Sequence, residues 1–149
     1  MKANRLFIAC VAALSLAACG GGTELAAVLS GAAEKPTAVT TGASGSATVT
    51  VDGKKLEVSG SFKDLTANTS GAHIHGPADE NSTAGIICNL SVPTSTNGSI
   101  SAGSGAMSCG DIELSDELIQ AFESGRTYVN IHTVGANAAG EIRGQLIKK

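Results

Sequence analysis

The 149-residue chain has no Trp, one Tyr and three Phe. Stacking platforms for bases, sugars or flat cofactors therefore have almost nothing to be built from, and the core has to be aliphatic. Charge is scarce too, at 15 % of residues, and ten Lys plus Arg against thirteen Asp plus Glu leave a net charge of −3. That excludes the basic footprint a nucleic-acid partner requires. With three His and four Cys in the whole chain, any metal or nucleophile chemistry has few residues to draw on. No G-x-S-x-G elbow is present. The carboxylate pairs Asp79-Glu80 and Asp116-Glu117 are explained by loop solvation and by the positive first turn of a helix. No catalytic residue is assigned, and the reading is not that of an enzyme.

What is present begins with an export pattern. Lys2 and Arg5 precede an apolar run over 6–18, broken only by Ser15 and too short for a membrane span of about 20 residues. The run closes on Leu16-Ala17-Ala18-Cys19-Gly20, which resembles the bacterial lipobox, whose cysteine receives diacylglycerol. The expectation is a signal peptide over 1–18, a lipidated Cys19 on a short glycine tether over 19–24, and one domain over 25–149. Gly20, in place of Asp, after the cysteine resembles exported lipoproteins that pass to the outer membrane or cell surface. Loss of Lys2 and Arg5 leaves eight basic groups against thirteen acidic ones in the mature chain, a net charge of −5. The partners this implies are the membrane, through the lipid, and a protein or other envelope component, with no nucleic acid. Cys10 leaves with the signal and Cys19 carries the lipid. Cys88 and Cys109 then remain in an oxidising compartment, where a disulfide between them is expected; a thiolate metal site would need a C-x-x-C spacing that is missing.

Alternating apolar and polar residues mark strands over 25–30, 46–52, 55–65, 71–75, 86–92, 99–107, 127–134 and 141–147. Asp52-Gly53 signals a hairpin turn between the second and third. Ser115, Asp116 and Glu117 cap a short crossover helix that Gly125 can end. About eight short antiparallel strands imply a sandwich or closed barrel, and with one crossover helix the expected fold is all-β, an antiparallel Greek-key-like β-sandwich.

All three histidines fall in strands. Alternation puts His73 and His75 on one face of their strand, and Tyr128, Asn130 and His132 on one face of theirs. Pairing the last two strands with Ile131 opposite Ile142 keeps the apolar faces together, so His132 lies opposite Glu141 and Asn130 opposite Arg143. Three imidazoles with an open fourth position suit copper or zinc, with Glu141 orienting His132 from behind. The plainer reading has the histidines bonded to loop carbonyls or to each other, and Glu141, Arg143 and Gln145 in a solvated polar ladder.

The segments 29–36, 72–76 and 85–90, together with Gly125-Arg126-Thr127-Tyr128-Val129-Asn130-Ile131-His132-Thr133 and Gly140-Glu141-Ile142-Arg143-Gly144-Gln145-Leu146, resemble the CHRD, or chordin-type, domain. Lys35-Pro36-Thr37 stands where that family often has Val-Pro-Pro, and the loop after His75 is drawn out. The resemblance implies a secreted or surface β-sandwich without a defined bacterial activity. Gly71-Ala72-His73-Ile74-His75 is also similar to the copper-ligand strand of copper/zinc superoxide dismutases. Three histidines cannot supply the rest of that site, so dismutase activity is not implied.

Overall fold

Strand β1 (Thr23–Ser30) buries Leu25, Ala27 and Leu29 and turns Val28 to solvent, the period-two pattern of a strand with one face on a core. The same alternation builds β2 (Ser44–Asp52) and β3 (Lys55–Lys63), which pair antiparallel over their full length from Ser44↔Lys63 to Asp52↔Lys55. Asp52 is therefore still in the ladder, and the turn is Gly53-Lys54, one residue later than the sequence suggests. Only Gly53 has positive φ, at 56°, as a turn with glycine in its first central place requires. The computed structural model describes residues 21–149, so the signal segment, Cys19 and Gly20 lie outside the described residues.

The remaining strands are β4 (Thr69–His75), β5 (Ile86–Asn89), β6 (Gly98–Ser101), β7 (Tyr128–Thr133), β8 (Ile142–Gln145) and β9 (Ile147–Lys148). Helix α1 (Asp116–Glu123) starts as expected, with the Ser115 hydroxyl accepting from the Leu118 N–H, and buries Phe122. The strands join in one antiparallel sheet of order β5-β4-β7-β8-β1-β2-β3-β6, with β9 also on β1. Where two separate sheets were expected, one sheet curls until its edges approach. Just past β5, Ser91 exchanges both backbone hydrogen bonds with Ser101 of β6, at 2.9 and 3.0 Å. The inner face holds the aliphatic core, including Val49, Ile74, Val129, Ile131 and Ile142.

Several predicted strands are shorter than their apolar patterns; the one over 86–92, for instance, ends at Asn89. The one over 99–107 stops at Ser101, where glycines 103 and 105, both at positive φ, turn the chain so that Cys109 meets Cys88 in a disulfide. The last one breaks at Leu146, which is buried and donates its N–H to the Thr127 carbonyl, leaving β8 and β9 as separate pieces against β1. β8 lies so close to β1 that a Cβ on Gly144 would fall 2.3 Å from the Val28 carbonyl oxygen. Only glycine fits there.

Candidate metal centre

The outer face of β4, β7 and β8 carries the polar half of each alternation. Its register places His75 opposite Tyr128, His73 opposite Asn130, Gly71 opposite His132, and Asn130 opposite Arg143. The predicted pairing of Ile131 with Ile142 is present. This face is not a solvated ladder, because two loops fold over it. Arg143 is 2 % exposed and Glu141 fully buried.

Loop 77–85 is held down through its own backbone. Arg143 Nη2 donates to the carbonyls of Ser82 (2.8 Å) and Asp79 (3.2 Å), and Gln145 Nε2 to those of Ala78 and Gly125 (both 2.8 Å). The Tyr128 hydroxyl accepts from the Ala84 N–H at 3.2 Å. The Arg143 guanidinium carbon lies 3.6 Å from the Tyr128 ring centre, and the His75 ring stacks parallel on Tyr128 at 4.9 Å.

Under this cover His73, His75 and His132 converge. Each offers a ring nitrogen within 4.8 Å of the other two, and the ring centroids are 4.8 to 6.1 Å apart. Convergence comes from the backbone. The ladders of β4 shift register at Thr69/Gly71 on one side and at Ile74/His75 on the other, the kind of irregularity that re-aims a side chain. Gly71 leaves the space opposite His132 open, and the His73 ring comes within 3.4 Å of where its Cβ would be.

The protonation pattern favours lone pairs facing inward. His75 Nδ1 lies 3.0 Å from the Ala84 carbonyl and His132 Nδ1 lies 3.1 Å from the Ala138 carbonyl. A carbonyl only accepts, so each Nδ1 carries a hydrogen, and the neutral form of either ring keeps its lone pair on Nε2. Both Nε2 atoms and His73 Nδ1 are buried without a hydrogen-bond partner. Burial, with the neighbouring imidazoles His132 and His75, pushes His73 down to about 4. Burial also lowers His75, outweighing the Ala84 carbonyl bond that works against it. Both rings are neutral near pH 7, the form that ligates metal. Carbonyl bonding thus accounts for Nδ1 of His75 and His132 and leaves one buried nitrogen on each of the three rings unaccounted for.

Residues 25–146 match the profile of the CHRD domain family. The chain belongs to the CHRD domain family. No curated protein matches it. In this CHRD domain the covered face takes six of the motif residues: His73, His75, Tyr128, Asn130, His132 and Arg143.

Glu141 does not take the place expected for it. It precedes β8, and its carboxylate turns to the end of the core. There it accepts from the Thr41 hydroxyl, the Thr66 N–H and hydroxyl, and the Thr133 hydroxyl, at 2.8 to 2.9 Å. Burial raises this carboxyl, but the four donors outweigh it and hold it below its usual value. The orienting role at His132 falls to the Ala138 carbonyl instead.

Glu34 is the residue the sequence did not single out. It is 3 % exposed beside Asn130, whose Nδ2 donates to its Oε2 at 3.4 Å. Gly140 (φ 142°) lies against both, and a Cβ there would come within 2.8 Å of Glu34 Oε1 and Asn130 Oδ1. Burial raises Glu34 to about 7 against the pull of Arg143, Asn130 and the Lys35 N–H. Its Oε1 and Asn130 Oδ1 are both buried acceptors without a donor. A proton on Glu34 Oε1 is what would join them, closing an acid–amide pair. The signal in sequence is faint: a lone Glu in a turn before Lys-Pro.

Proposed function

We propose that this CHRD domain is a non-enzymatic module held at the cell envelope, and that its binding site takes a transition metal, copper or zinc, on His73, His75 and His132. The carrying observation is the convergence of three imidazoles, each offering a ring nitrogen within 4.8 Å of the other two and each holding one buried nitrogen without a hydrogen-bond partner. Nitrogens around a tetrahedral ion at 2.0–2.1 Å are roughly 3.4 Å apart, so from a separation of no more than 4.8 Å the rings would draw together by at most about 1.4 Å on binding. Three imidazoles suit either metal and leave a fourth position to solvent or a partner. The Ala84 and Ala138 carbonyls supply the outer hydrogen bonds that fix ligand orientation in such sites.

The envelope reading rests on Leu16-Ala17-Ala18-Cys19 and on β1 beginning at Thr23, which leaves only Gly20, Gly21 and Gly22 between a lipid on Cys19 and the sheet. The module would then sit close to the outer membrane or cell surface. We read the curled sheet as a flattened counterpart of the expected sandwich, with β5-β4-β7-β8 on one side and β1-β2-β3-β6 on the other. The meeting of Ser91 with Ser101 supports that reading. Equilibrium dialysis of the detergent-solubilised chain against copper and zinc tests the site. One ion per chain in the wild type, lost in the His73→Ala/His132→Ala variant, is the expected result; equal uptake by both refutes the proposal.

A further inference from the structure

A recess of about 330 Å³ opens where loop 77–85 meets β8 and β1, its lining including Val28, Ala33, Lys35, Glu80, Arg143 and Gln145. Its size is at the lower end of small-molecule sites. Two features mark it as more than a crease. Arg143 is buried, yet among the described residues no carboxylate lies within 4.0 Å of it, and its hydrogen bonds, to Asp79 and Ser82, use Nη2 alone. Nη1 and Nε have no acceptor among the described residues, and the acidic groups that act on Arg143, Glu34 and Asp79, make no ion pair with it, Glu34 being itself raised toward its neutral form. Gln145 spends its Nε2 on the carbonyls of Ala78 and Gly125, and its Oε1 is buried with no donor.

The lining therefore asks for an oxyanion and a hydrogen-bond donor at once. Arg143 and Lys35 supply positive charge; Glu80 and Gln145 Oε1 supply acceptors. Val28, 81 % exposed, and Ala33 supply a small apolar wall. We propose that the recess binds a free α-amino acid with a small apolar side chain. Its carboxylate faces Arg143 and Lys35, its ammonium faces Gln145 Oε1 and Glu80, and its side chain lies on Val28 and Ala33. A zwitterion meets both demands, whereas a simple carboxylate or amine meets one. The assignment is independent of any metal on the histidines.

Titration of the isotope-labelled full chain in detergent micelles with valine, followed by amide chemical shifts, tests it. Saturable shifts at Ala33, Gly144 and the Gln145 side chain are expected, with isobutyrate and valine methyl ester each binding at least about tenfold more weakly. Lys35→Met and Glu80→Gln lie at the rim and leave the core intact; each should weaken valine about threefold, the scale of an exposed charge. Absence of saturable shifts, or isobutyrate binding as well as valine, overturns the proposal. So does indifference of valine binding to both substitutions.

Discussion

Glu34 and Glu141 are both buried carboxyls, and their surroundings send them in opposite directions. Glu34, raised to about 7 chiefly by burial, holds in the folded state a proton that the unfolded chain has released above the ordinary value of 4.5. Folding stability must therefore fall as pH rises between these values, by up to about 1.4 kcal/mol per pH unit. Glu34→Gln keeps the shape and offers Asn130 a donor. It should remove that slope and exceed the wild type in stability at pH 8, read from urea unfolding at pH 5, 6, 7 and 8. Glu141 has four donors and a lowered value, so its contribution is present above the ordinary carboxyl range and is lost as pH falls through the folded value. Glu141→Ala leaves the donors of Thr41, Thr66 and Thr133 without their acceptor. It should cost roughly 3 kcal/mol or more in the same assay, an effect far larger than an exposed Glu would give.

The strands were legible because alternation along β1, β2, β3, β4 and β7 follows directly from which side chains meet the core. The register of β7 on β8 followed from the same apolar faces. Burial of the outer face was not legible, since it depends on loops 77–85 and 135–140 closing through backbone carbonyls that carry no sequence signal. Arg143 and Gln145 therefore read as solvated residues when they are the clamps that hold loop 77–85. Gln145→Ala removes its bond to the Ala78 carbonyl, along with the one to Gly125, and amide exchange across 78–84 should quicken while exchange in β1 and β2 stays unchanged. Glu141 was misplaced for a related reason: the chain leaves the ladder before β8 begins, so strict alternation no longer applies to it. The disulfide belongs to this scale as well. Cys88 and Cys109, separated by 21 positions, tie β5 to the segment after β6, and reduction should cost about 3 kcal/mol by the loop-entropy estimate. Thiol labelling of the denatured, unreduced chain should find neither of them free.

At the scale of the whole molecule, a curled sheet with an aliphatic interior turns its chemistry outward, onto one face roofed by loops. Few aromatics are needed: the single Tyr128 stacks with His75 and lies against Arg143, between the histidines and the recess. That all three histidines share this face was legible in the strand alternation. That their inner nitrogens have no partner was not, because it depends on the Ala84 and Ala138 carbonyls. The proposed anchor also acts at this scale. Cys19→Ala should move the protein from the membrane to the soluble fraction, and unchanged fractionation would remove the lipid from the account. X-ray absorption at the zinc edge of the zinc-loaded full chain probes the metal site itself. Three imidazole nitrogens at about 2.0–2.1 Å are expected, a signature lost in His73→Ala/His132→Ala; a spectrum without imidazole ligands, or one that the two substitutions leave unchanged, would rule the site out.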